Sequence, residues 1–337
     1  MSAALRVMRV VAVALAICGG CAAGQGAEEQ ANDVLVLESK VPLGNVSGRI
    51  DHLAADVGRS RLFVAELGNG TVGIVDLAAG KLLHRLTGFK EPQGVGYVPA
   101  TDALYVANGG DGSVRIFGGD DYAPSGRIDL GNDADNVRVE PSGKSVFVGY
   151  GAGALAAIDP ATRTKTGDIR LAAHPEGFQL SSRTNATFVN LPEKRAIVTV
   201  DRASGEQLAS WPTQNATANF PMALDEANQR VIVVFRDPAR LGVFAMASGE
   251  KIAEQNTCGD SDDVFMDAKR SRVYVSCGEG SIDVFAVEGT SYRRLARIAT
   301  ASGARTSLFI PAMDRLAVAL RASGREPAAI WVYRATP

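Results

Sequence analysis

Leu104-Tyr105-Val106-Ala107-Asn108 and Val273-Tyr274-Val275-Ser276 are two copies of one short apolar motif. Its leading triplet recurs at Leu62-Phe63-Val64, Val146-Phe147-Val148, Thr187-Phe188-Val189, Val231-Ile232-Val233 and Leu316-Ala317-Val318. Successive triplets, counted along the chain, begin 42, 42, 41, 44, 42 and 43 residues apart. Chance does not hold that register over seven copies, and a period of roughly 40 to 50 residues belongs to propeller blades.

The flanks of each triplet have a common form. A turn-rich run precedes it, as in Val57-Gly58-Arg59-Ser60, Pro99-Ala100-Thr101-Asp102, Pro141-Ser142-Gly143-Lys144 and Asp267-Ala268-Lys269-Arg270. Before that run lies another short apolar stretch, such as Val95 to Val98 or Val264 to Met266, so the pair reads as a β-hairpin. A Gly-rich turn then leads to a third strand at Gly70 to Val75, Gly112 to Phe117 and Gly280 to Phe285. A more polar fourth strand, Lys81 to Leu86 or Glu206 to Trp211, closes the unit. Four antiparallel strands in each of seven repeats predict an all-β, seven-bladed β-propeller.

The final repeat supplies Ser307 to Ile310, Leu316 to Ala319 and Ile330 to Tyr333, then stops one strand short. Val34 to Leu37, with an extension to Leu43, is free to complete it, which closes the ring and removes the open edges. An open solenoid would instead need capping repeats, and none is visible. The propeller therefore occupies residues 33–337 as one domain and is expected to be a monomer.

These triplets resemble the signature of the bacterial YVTN-repeat β-propellers, the YncE-like group, over essentially all of residues 33–337. The resemblance implies the seven-bladed fold and export from the cytoplasm. Members of the group mostly lack an assigned reaction. DNA binding is attributed to one branch, and related propellers act as lactonases or as parts of quinoprotein enzymes. No residue pattern belonging to those activities is found here.

Residues 1–24 read as a signal peptide. Arg6 and Arg9 precede the apolar run Val10 to Ile17, followed by small residues from Gly19 to Gly24; the run is too short to span a bilayer. A polar linker, residues 25–32, follows. Cleavage near Ala23 or Gly24 gives a soluble periplasmic protein. Cys21 after Gly19-Gly20 offers the alternative of a lipoprotein anchored to the membrane, although Cys18 stands where such signals usually carry leucine. In an exported chain the remaining thiols, Cys258 and Cys277, are expected to form a disulfide; buried free thiols are the alternative.

Of 337 residues 46% are apolar, and the formal charge of -2 is spread along the chain without a basic stripe. Loss of the leader removes two arginines and no acid, leaving 33 basic against 37 acidic residues. That balance argues against a nucleic-acid partner, which needs a basic footprint. Catalytic motifs are as scarce. With three histidines and no Gly-x-Ser-x-Gly elbow there is no support for a nucleophilic triad. Gly143-Lys144-Ser145 lacks the first glycine of a phosphate loop, since Arg138 stands there, and reads as a hairpin turn. No catalytic residue is assigned, and His84 falls on an outer strand.

In a propeller the loop entering each inner strand and the loop leaving each second strand share one face. Eleven residues before each triplet stand Asp51, Gln93, Asp135, Glu176, Phe220, Asp262 and Arg305. One residue later come His52, Gly94, Asn136, Gly177, Pro221, Asp263 and Thr306. The expectation is an acidic channel mouth in which Arg305 stands between Asp262 and Asp51. Asp51, His52, Gln93, Asp135, Asn136, His174, Glu176, Asp262, Asp263 and Arg305 are the candidate ligand-binding residues. Asp51, Asp135, Glu176, Asp262 and Asp263 are the candidate ligands of a cation, and an oxygen-rich set suits calcium or magnesium. The site then serves a binding or interaction module for an unknown protein or small molecule. The alternative is a cation-dependent hydrolase or lactonase at the same mouth.

Overall fold

A computed structural model describes Met1, residues 34–324 and residues 326–337. The leader, Cys18, Cys21 and the 25–32 linker lie outside the described residues. Seven four-stranded antiparallel sheets follow one another along the chain. Blades 1 to 6 span residues 53–87, 92–129, 134–170, 178–212, 217–256 and 261–299. Within each, strands A to D are hydrogen-bonded in sequence order. Strand A of every blade touches strand A of the next, and the series returns from blade 7 to blade 1, so the ring is closed.

Blade 7 is composite. Ser307–Ile310, Arg315–Leu320 and Ala328–Ala335 form its first three strands, and Leu35–Gly44 is its outermost strand. The register runs antiparallel from Leu35 opposite Ala335 to Gly44 opposite Ala328. Glu38 fixes the added strand from the side, accepting from Arg315 Nε at 2.9 Å and Arg334 Nε at 2.8 Å.

The repeated triplets form the middle of strand B, where both sheet faces are covered by neighbouring blades; this is why they read as unbroken apolar runs. The interblade core shows the same thing. Phe63, Ala65 and Val72 of blade 1 pack with Val95, Leu104 and Val106 of blade 2. The outer strands carry the polar sequence, and His84 is exposed on strand D of blade 1. Gly143 bonds back to Glu140 O at 2.7 Å and has φ +70°, so the Gly143-Lys144-Ser145 run is a hairpin turn. Among the described residues no helix is long and apolar enough to cross a membrane.

Candidate functional site at the channel mouth

Thirteen residues before the triplet, the chain takes up a left-handed conformation in five blades, at Glu91, Asp133, Ala218, Asp260 and Gly303. Few residue types adopt this backbone without strain, and here it turns the chain sharply from the outer strand of one blade into strand A of the next. A second loop clamps that turn. Gly68, Gly109, Gly151 and Gly278, five or six residues after their triplets, donate from their backbone to the carbonyls of Arg49, Glu91, Asp133 and Asp260 at 2.8 to 3.1 Å. The two loops meet so closely that a Cβ on Gly278 would lie 2.0 Å from Asp260 Oδ2. In blade 5 the equivalent position is Arg236, and its long side chain reaches over the mouth instead.

The next positions stitch neighbouring blades together. His52 donates its backbone N–H to Gln93 O at 3.2 Å, and Gly177 donates to Phe220 O at 3.1 Å. Asn136 Nδ2 donates to Glu176 O at 3.3 Å, Thr306 Oγ1 to Ile50 O at 3.2 Å, and Ser307 N to Asp263 Oδ2 at 2.7 Å. Gly94 is required by this approach, since a Cβ there would fall 2.0 Å from Asp135 O. Asn136, Asp263 and part of His52 therefore hold the ring closed.

Above this layer is a cavity of about 380 Å³ reached by Arg49, Gln93, Asp133, Asp135, His174, Glu176, Phe220, Arg236, Asp262 and Arg305. The structure thus brings most of the residues expected at the mouth into one space. Asp51, His52, Asn136 and Asp263 lie deeper, around a narrower waist shared with Arg138.

The expected acidic ring with one arginine is corrected by four guanidinium groups, those of Arg49, Arg138, Arg236 and Arg305. Arg305 does not bridge Asp262 and Asp51. It donates to Asp260 Oδ1 at 2.7 Å and lies 2.8 Å from Asp262 Oδ2, while Arg236 pairs with the same two carboxylates from the other side. Arg236 also lies over the Phe220 ring, 4.2 Å from its centroid. Asp51 is met by Arg49, whose Nη2 is 2.8 Å from Oδ2 without the alignment of a hydrogen bond. Arg49, Arg138 and Arg236 stand outside the two columns that define the ring, which is why counting from the triplet misses them. A column five residues after the triplet, in which Arg236 and Arg321 replace glycine, would have found Arg236.

Protonation further reduces the acidity. Burial pushes Asp51 and Asp263 well above the carboxylate range, against the pull of Arg49 on the first and of the Ser307 N–H on the second. Burial, helped by the Asp135 charge, raises Glu176 to about 7. The Glu176 carboxyl has no hydrogen bond or ion pair with any described residue. His52 is lowered by burial, so its imidazole is neutral. Burial also opposes charge on His174, but Asp135 and the Gly151 carbonyl outweigh it and raise the group to about 9. Nδ1 of His174 bonds Gly151 O at 2.7 Å, and Nε2 is 3.8 Å from Asp135 Oδ2. Asp135 is in turn held below its usual value, because His174 and His52 overcome the cost of burial.

The candidate cation set does not converge. Among the described residues no group of three or more His, Cys, Asp or Glu side chains is arranged to hold a metal ion. Asp51 faces Arg49, Asp262 faces two arginines, Asp263 accepts from Ser307, and Asp135 faces His174. The residues present do not fit a calcium or magnesium site, and no step through such an ion is derived.

The cysteines of blade 6 brace this face. Cys258 and Cys277 form a disulfide with Cα atoms 5.8 Å apart. Cys258 N also donates to the buried Asp283 at 2.9 Å, so the loop that carries Asp260 and Asp262 is tied down at its start.

No family model and no curated protein sequence matches the chain. Among solved structures, the fold is similar to a chain described as Kuenenia stuttgartiensis hydrazine synthase, with a TM-score of 0.72 and 16% identity over 82% of this chain and 95% of that one. At that identity the likeness concerns the propeller fold alone.

Proposed function

We propose that this chain is an exported propeller of the YVTN-repeat type that works as a ligand-binding module, with the channel mouth as its binding face. One observation carries the reading. The unpartnered Glu176 carboxyl, with a pKa of about 7, shares a cavity of about 380 Å³ with Arg49, Arg236, Arg305 and the Phe220 ring. The site has the concavity and convergent polar groups of a small-molecule site, and a lining this rich in charge favours a polar ligand. Guanidinium groups recognise carboxylates, and a Glu near its pKa either donates or accepts. The ligand class is a small polar molecule that bears a carboxylate. Calorimetric titration with citrate and succinate tests this: saturable binding should weaken at least about tenfold in Arg49→Gln. Absence of binding, or equal binding by the variant, removes the reading.

A second reading, hydrolysis of lactones or esters at the same mouth, is favoured by the pKa of Glu176 alone, since a general base works best near the operating pH. Turnover of a lactone panel that disappears in Glu176→Gln would support it, and no turnover by the wild type would end it.

Export follows from the basic, apolar and small-residue order of residues 1–24. Mass spectrometry of the mature N-terminus separates the two routes: an unmodified residue downstream of Cys21 means soluble periplasmic export, and a lipidated Cys21 means a membrane anchor.

A further inference from the structure

The channel has a second, different end. Beyond the waist it opens into a cavity of about 390 Å³ whose walls include Ala55, Val95, Tyr97, Val139, Phe265 and Leu308. These are residues from the later part of the inner strands, on the side away from the mouth. The volume falls within the range of roughly 300–1,000 Å³ typical of small-molecule sites.

Arg138 lies where this apolar funnel meets the waist and lines both. Its Nε donates to Phe178 O at 3.2 Å and its Nη1 to Val137 O at 2.9 Å. Nη2 donates to no described residue, and no described carboxylate lies within ion-pair distance. Of the acids whose charge it senses, Asp135 faces His174, and Asp263 is pushed towards its neutral form by burial while accepting from Ser307. A guanidinium held in a partly shielded channel, with two backbone carbonyls and the Phe178 ring 5.6 Å away but no counter-ion, has its desolvation only partly offset. What would complete it is an anion small enough to enter, and the apolar walls add a requirement for hydrocarbon.

The geometry points to an amphipathic monocarboxylate as the occupant of this funnel, its carboxylate on the Arg138 guanidinium and its hydrocarbon against Val95, Val139, Phe265 and Leu308. Planar, forked donors suit a carboxylate better than a point charge does. The site is separate from the mouth, and neither proposal depends on the other.

Octanoate, octan-1-ol and octylamine, titrated calorimetrically into the full exported protein at neutral pH, test it. Octanoate should bind saturably at one site and at least about tenfold more tightly than the alcohol or the amine. Arg138→Met should remove that preference, and Arg138→Lys should keep part of it. Lys81→Gln, on the exposed outer strand of blade 1, should leave octanoate affinity unchanged. The wild-type comparison of the three head groups needs no variant, so a misfolded Arg138→Met would leave the test intact. Equal binding of octanoate and octylamine, no saturable octanoate binding, or an unaffected Arg138→Met would each overturn the assignment.

Discussion

Glu176 and His174 each keep a proton to higher pH than in the unfolded chain, for unlike reasons. Burial withholds charge from Glu176, whose pKa rises from 4.5 to about 7. His174 goes from 6.5 to about 9 because Asp135 and Gly151 favour its charged form more than burial opposes it. In both cases the folded state binds more protons between the two values, so stability falls as pH rises through that window. Thermal unfolding of Glu176→Gln should therefore match wild type near pH 4 and exceed it above pH 7. His174→Asn should be less stable than wild type below pH 6.5, and the difference should fade by about pH 9. Two flat differences across this range would rule out both assignments. Gly94 belongs to the same scale. Alanine there puts a methyl 2.0 Å from Asp135 O, and its cost should reach or exceed the ~3 kcal/mol upper end of overpacking. Gly167→Ala, where nothing lies within 4 Å of the new carbon and the backbone is ordinary, should be neutral or slightly stabilising. Paired denaturant titrations give both values.

Among the elements, the loop entering blade 6 combines two constraints, the Cys258–Cys277 disulfide and the Cys258 N–H on Asp283. A bridge across 19 residues is worth about 3 kcal/mol in the chain-entropy treatment. Cys277→Ser should lower the melting temperature of the oxidised protein accordingly and should match wild type once both are reduced. Loss of the same size under reducing conditions would mean that the substitution acts through packing, since Cys277 is fully buried. How well such elements can be read from sequence depends on what repeats. Strand B was legible because burial on both faces writes the same apolar triplet seven times. The mouth was legible where its residues share a column, as Asp51, Asp135, Glu176 and Asp262 do. It was not legible at Arg49, Arg138 and Arg236, each of which reaches the channel from a different place in its repeat. Arg236 does so from a site that most other blades give to glycine or proline. Charge read from one column therefore described a ring of acids, whereas the folded site is a set of ion pairs around the unpartnered Glu176 carboxyl.

For the whole molecule, closure rests on the strand Leu35–Gly44 lying against Ala328–Ala335. Glu38→Gln weakens two partly exposed ion pairs at the rim of the sheet and should cost about 1 kcal/mol. Removing residues 35–44 exposes the edge of blade 7 together with the apolar surface that Val41 and Leu43 cover, and should yield aggregates instead of monomer in size-exclusion chromatography. A monodisperse product would show that the ring holds without its added strand. The same pairing has a bearing on synthesis. Leu35 is made early and its partner, Ala335, comes three hundred residues later, so the strand has no native neighbour until almost the entire chain is available. Blades 1 to 6 each complete their own sheets from contiguous sequence, but the seventh pairs residues 284 to 300 positions apart. Final ring closure should thus be the slow step of folding, and a chain interrupted before its last strand would carry an unmatched edge at both ends.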